Sequence, residues 1–109
     1  MSTEKIFNKL VRDRIPEIIK NNGGTPYTRI LNDEEYKAEL ERKLDEEYME
    51  VLSSSGKDRI EELADMLEII KCLAELEGSS LEEALEVGEQ KKLKRGSFKD
   101  KIYLEKTID

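Results

Sequence analysis

Two long segments with helical periodicity, joined by a short Ser/Gly loop, dominate this sequence. They cover about residues 32–52 and 58–78, and residues 53–56 form the loop. Asn32 with Glu35, and Asp58 with Glu61, have the spacing of a capping box at the starts of the two helices. Each segment repeats apolar residues every three or four positions, which is the spacing of one face of an α-helix. Because so short a loop brings its flanking helices side by side, the sequence predicts an antiparallel helical hairpin.

Acidic residues interrupt the apolar faces of both predicted helices. The apolar stripes consist of Leu40, Leu44 and Val51 in the first helix and of Met66, Ile69, Leu73 and Leu76 in the second. At about 100° per residue, Glu47 falls within the first stripe and Glu62 continues the second towards its helix start. Glu50 and Asp65 lie three positions further on, at the stripe edges. Carboxylates near an apolar interior normally need a partner or a metal.

Shorter elements flank the hairpin. A helix is expected to begin at Pro16 and to end at Gly23-Gly24. Residues 25–31 are rich in β-branched and aromatic side chains and are predicted to be extended. They could pair with residues 98–104 as a short two-stranded β-ribbon. A third long helix is predicted over about 81–93, capped by Ser79 or Ser80.

The composition favours a mainly α fold, an antiparallel helical bundle. Charged residues make up 41% of the chain and aromatic residues only 6%, which suits amphipathic helices better than a β-sandwich. A chain of 109 residues supports one domain with a small core. We therefore predict a single domain over residues 1–109, with a core that oligomerisation would enlarge.

Residue types and segments that are absent from the sequence exclude several classes of function. It has no histidine and one cysteine, Cys72, which excludes Ser-His and Cys-His nucleophiles and an intrachain disulfide. The net charge of −7 argues against a nucleic-acid-binding domain of the usual basic kind. No apolar run is long enough to suggest a membrane segment, so we expect a cytoplasmic protein without a nucleic-acid or membrane partner.

Charge is distributed unevenly along the chain. Residues 33–50 carry nine acids against three bases, whereas residues 91–101 carry six bases against one acid. Carboxylates on two helices, without histidine or cysteine, favour Mg²⁺, or Mn²⁺, bound through oxygen. Such sites typically serve phosphoryl chemistry. The alternative is an acidic face displayed to solvent and stabilised by pairs such as Glu39 with Lys43.

The same residues resemble a family motif. Glu46-Glu47-x-x-Glu50 followed by Glu62-x-x-Asp65 is similar to the paired motif of the MazG-like, all-α nucleotide pyrophosphohydrolases. Residues 8–16 (NKLVRDRIP) and 95–98 (RGSF) resemble its phosphoribosyl-ATP pyrophosphohydrolase-like subgroup. The resemblance implies a Mg²⁺-dependent enzyme, a homodimer or homotetramer, that cleaves a nucleotide to the monophosphate and pyrophosphate.

The resemblance also implies roles for individual residues. Glu47, Glu50, Glu62 and Asp65 would be the metal ligands, and Glu46 would orient the attacking water. Substrate phosphates need cationic partners. The candidates are Lys9, Arg12, Lys91, Lys94 and Arg95. Two rival functions remain open: a dimerisation or adaptor module that recognises a basic partner, and a nucleotide sensor without turnover.

Overall fold

Four α-helices make up the regular structure in a computed structural model that describes residues 3–109. The helices are α1 (Ile15–Asn21), α2 (Asp33–Leu52), α3 (Gly56–Leu76) and α4 (Leu81–Arg95). The mainly α fold class is therefore confirmed. Residues 3–109 contain no strand, and the ribbon of 25–31 with 98–104 does not form within them. An isolated pair of strands is only marginally stable in water, and no other described element packs against these two segments.

The hairpin of α2 and α3 is the centre of the fold, and local chemistry sets its ends. The predicted capping box starts α2: Asn32 Oδ1 accepts a hydrogen bond from the Glu35 backbone N–H, and Glu35 bonds back to the Asn32 N–H. Arg59 Nε donates to the carbonyls of Val51 and Ser54, which ties the loop to α3. The expected cap at Asp58 was wrong, since α3 already begins at Gly56.

The flanking helices follow their predicted boundaries closely. Pro16 lies in the first turn of α1. The Ser80 side chain accepts a hydrogen bond from the Glu83 N–H and caps α4, as predicted. Gly96 ends α4 with a φ of 82°, a backbone conformation that glycine adopts readily and that turns the chain away from the helix.

The core is very small. Leu40 of α2 and Ile69 of α3, 3% and 7% exposed, are the buried apolar residues among those described. Leu44, Val51 and Met66 are only half-buried. The apolar stripes thus face each other as predicted, but a single layer of two helices leaves their flanks open to solvent. None of the described helices is long and apolar enough to cross a bilayer.

The molecule is elongated. Its radius of gyration is 19.0 Å and its longest dimension is 70 Å, whereas a compact chain of about 100 residues has a radius of gyration of about 13 Å. Within the described range, α2 packs on α3, and α4 touches only α3 among the helices. The bundle of this chain is therefore a hairpin with extensions at both ends.

Candidate metal centre

Three carboxylates converge on one side of the hairpin. Glu47 of α2 and Glu62 and Asp65 of α3 each place one oxygen within 4.8 Å of the others. Glu62 and Asp65 lie one turn apart on α3, and the antiparallel hairpin places Glu47 opposite them. All three residues are half-buried. We call these three residues the acid cluster.

Glu47 is the most constrained member of the acid cluster. Its Oε2 atom is buried and has no hydrogen-bond partner among the described residues. Burial is the main cause that raises the pKa of Glu47 to about 7, from an ordinary value of 4.5. The proximity of the Glu62 carboxyl group and the charges of Asp65 and Glu62 raise this pKa further.

Repulsion between the carboxylates of the acid cluster also disfavours an ionised Glu47. Two unit charges 4.8 Å apart repel by about 3 kcal/mol at an effective dielectric constant of about 20, and bulk solvent reduces this value. An ionised Glu47 would face two such neighbours. The cluster therefore favours either a proton on Glu47 or a cation between the three oxygens.

Arg12 already supplies positive charge at the edge of the acid cluster. Its Nη2 atom donates a hydrogen bond to Asp65 Oδ1 at 2.7 Å, across 53 positions of sequence. Arg12 is exposed and Asp65 only half-buried, so this ion pair contributes at most about 1 kcal/mol to stability. The ion pair holds the guanidinium group of Arg12 beside the three carboxylates. A guanidinium group has several N–H donors and can bind an anion such as phosphate.

Two of the predicted acids lie outside the acid cluster. Glu50 is exposed near the end of α2 and is absent from the group of converging oxygens. Glu46 is also exposed, and its Oε2 atom lies 3.9 Å from Lys43 Nζ. Their assigned roles, as metal ligand and water-orienting group, stay predictions.

Among the predicted phosphate-binding residues, the described contacts bring only Arg12 to the acid cluster. Lys9 is exposed, and its Nζ lies 5.8 Å from the centre of the Phe7 ring. Lys91, Lys94 and Arg95 are exposed on α4. The surface depression beside these three bases is lined by residues of α4 alone, so no other described element packs there.

Lys43 is a functional candidate that the sequence reasoning missed. It is half-buried on α2, and its charge acts on Glu47 in the direction that lowers the pKa of that carboxyl group. The expected partner Glu39 lies instead near Arg42, at 3.7 Å. The i,i+4 spacing of Lys43 and Glu47 could have indicated their proximity, since such residues are neighbours on a helix.

The composition of the acid cluster fits a hard divalent cation. Three converging carboxylates, one of which has a buried oxygen without a hydrogen-bond partner among the described residues, match the ligand chemistry of Mg²⁺ and Mn²⁺. Mg²⁺ ordinarily binds few carboxylates and keeps several waters, which phosphate oxygens can replace. The half-buried position of the cluster leaves one side open for such a substrate.

A protein of Mycolicibacterium smegmatis, described as uncharacterized, resembles part of this chain. The two are 52% identical over 50 residues, which cover 46% of this chain and 51% of the relative. The match thus spans about half the length of that protein. No protein-family model matches the chain, and no solved structure does. Because the relative carries no named activity, a function has to be inferred from the residues of the site.

Proposed function

We propose that this protein is a Mg²⁺-dependent nucleotide pyrophosphohydrolase that converts a nucleoside triphosphate or related nucleotide to the monophosphate and pyrophosphate. Mn²⁺ is the alternative ion. The observation that carries the proposal is the buried Oε2 atom of Glu47, which has no hydrogen-bond partner in residues 3–109, within a group of three carboxylates. A solvated acidic face, the main alternative, would place each glutamate where water could satisfy it.

Each residue has a proposed part in this activity. Glu47, Glu62 and Asp65 would hold the ion, with Glu50 as a fourth ligand. Bound Mg²⁺ would polarise a phosphate oxygen and lower the pKa of a coordinated water. Arg12 would bind a phosphate oxygen once its contact with Asp65 is given up. Glu46, which shares the last turns of α2, would orient the attacking water.

The direct test is the release of pyrophosphate from a panel of nucleoside triphosphates and phosphoribosyl-ATP in the presence of Mg²⁺. We expect turnover of at least one nucleotide, its loss on chelation, and a loss of at least about a hundredfold in Glu62→Gln. Glu68→Gln is the matched control, because Glu68 is exposed on the same helix. Equal activity of the two variants would contradict the proposed role of the acid cluster.

A second candidate function is a helical association module without turnover. It is supported by the elongated shape and by large apolar side chains that remain exposed, such as Tyr48 and Leu67. In that case the acidic residues would act through total charge. Glu62→Gln and Glu68→Gln would then weaken association equally, and no nucleotide would be hydrolysed.

A further inference from the structure

The C-terminal arm, residues 82–109, contacts α3 but no other helix of the described chain. Every residue of this arm is exposed. An isolated helix of 15 residues, the length of α4, is only marginally stable in water. Beyond α4, the side chains of Phe98, Ile102 and Tyr103 are between 85% and 100% exposed. Such a segment is expected to be ordered only where another surface covers it.

The hairpin offers a surface with complementary chemistry. A shallow groove between α2 and α3 has Leu44, Tyr48 and Met66 as its apolar lining, with Glu41 and Asp45 beside them. The arm carries the opposite charge over residues 91–101, where six bases and one acid occur together with the apolar side chains of Leu93 and Phe98. Complementary charge would set the register of the contact, and burial of apolar surface would stabilise it.

The geometry points to an exchange of arms between two copies of the chain. We infer that the C-terminal arm of one copy lies in the groove between α2 and α3 of a second copy. An arm of this length matches the roughly 20–30 residues per partner of a standard interface. Because α4 leaves α3 just after the Glu77–Ser80 turn and lies against no other described helix, the arm is placed to contact a neighbour.

This arrangement would complete the proposed active site. The groove adjoins the acid cluster, since Leu44 lies one helical turn from Glu47 and Met66 lies one turn from Glu62. Lys91, Lys94 and Arg95, which have no role in their own chain's cluster, would then reach the cluster of the partner copy as phosphate-binding groups. This second step rests on the proposed function, whereas the exchange of arms does not.

Cross-linking between isotopically distinct copies tests the exchange without any reference to activity. Unlabelled and ¹⁵N-labelled chains are refolded together and treated with a carbodiimide, which joins a lysine amine to a neighbouring carboxylate. We expect Lys91 or Lys94 to be linked to Glu41 or Asp45, with about half of these cross-links joining one light and one heavy chain. Cross-links confined to chains of one label, or none from residues 91–101 to α2, would overturn the inference.

A charge-reversal variant adds a quantitative measure. The triple variant K91E/K94E/R95E should lower the sedimentation mass of the oligomer at a given concentration. K20E/K57E/K71E, which makes the same change in net charge at exposed positions on α1 and α3, should leave the mass unchanged. Equal effects of the two triple variants would show that net charge, not the arm, controls association.

Mixed oligomers test whether the arm completes the site of the partner. Glu47→Gln and K91Q/K94Q/R95Q are each expected to be inactive alone. A random equal mixture should recover about a quarter of the wild-type rate, because each mixed dimer has one intact site. An inactive mixture beside an active wild-type protein would refute shared sites. If the wild-type protein hydrolyses no nucleotide, the proposed function fails, and the cross-links still decide the exchange of arms.

Discussion

Replacing Glu47 by glutamine should stabilise the protein in the absence of metal. Ionising a carboxyl group whose pKa is about 7 instead of 4.5 costs at most about 3 kcal/mol above pH 7. Because Glu47 is only half-buried, solvent screening reduces the expected gain to about 1–3 kcal/mol. Glutamine keeps the shape of the side chain, removes the charge and can donate a hydrogen bond to Glu62.

The pH dependence follows from the direction of the pKa shift. The folded protein holds a proton on Glu47 up to about pH 7, whereas the unfolded chain releases it near 4.5. Between these values the folded state binds more protons, so the free energy of unfolding falls as the pH rises. Wild-type protein should therefore lose stability across this window in chelator, and Glu47→Gln should lose less.

Mg²⁺ should reverse the order of the two proteins. A ligand that binds only the folded state stabilises it by about 4 kcal/mol at a thousand times its dissociation constant, which exceeds the expected difference of about 1–3 kcal/mol between the two metal-free proteins. Wild-type protein should gain this amount above pH 7, and Glu47→Gln should gain much less. Urea unfolding with Mg²⁺ or with chelator, at pH values above 7 and near 5, measures all of these differences.

The control for this experiment is Glu68→Gln, which changes an exposed glutamate on α3. Its free energy of unfolding should change by no more than about 0.5 kcal/mol under every condition. The reasoning is refuted if Glu47→Gln destabilises the metal-free protein above pH 7, or if Mg²⁺ stabilises both variants to the same extent.

Three further substitutions test other parts of the structure. Leu40→Ala should lower the free energy of unfolding by about 2–4 kcal/mol in urea titrations, because Leu40 is buried. Arg12→Gln should lower the free energy of unfolding by at most about 1 kcal/mol. It should reduce the rate of pyrophosphate release about tenfold, which corresponds to the loss of one charge-assisted hydrogen bond to the substrate. Arg14→Gln is the control, because the partner of Arg14 is Glu17, and it should leave this rate unchanged. Asn32→Ala should remove the cap of α2 and cost about 1 kcal/mol, which thermal melting would detect.

The sequence was most informative where structure depends on neighbouring residues. The caps at Asn32 and Ser80 involve atoms three residues apart, so their pattern can be identified without knowledge of the fold. Helical periodicity likewise placed Glu47 and Glu62 on the faces that α2 and α3 present to each other. The hairpin could be predicted from this periodicity together with the short loop, because two helices joined by a short loop pack side by side in antiparallel orientation.

Features that depend on distant parts of the chain were less predictable. Periodicity identifies an apolar face but not whether anything covers it, so the exposure of the stripes could not be foreseen. The direction of α4 depends on a few contacts with α3, and no sequence pattern indicated that Lys91 and Arg95 would lie on a bare helix. Similarly, Glu50 shares a helical face with Glu47 but lies outside the group of converging oxygens, because the packing of α2 on α3, and not periodicity, decides which acids meet.

The small core that Leu40 and Ile69 form among the described residues also bears on how the protein should respond to dilution. If two copies exchange their arms as proposed, contacts between chains would add to this small core, and stability would be linked to assembly. The melting temperature would then rise with protein concentration. Dilute samples should lose the structure of α4 first, since it has the least intrachain support, and the hairpin should persist to lower concentrations.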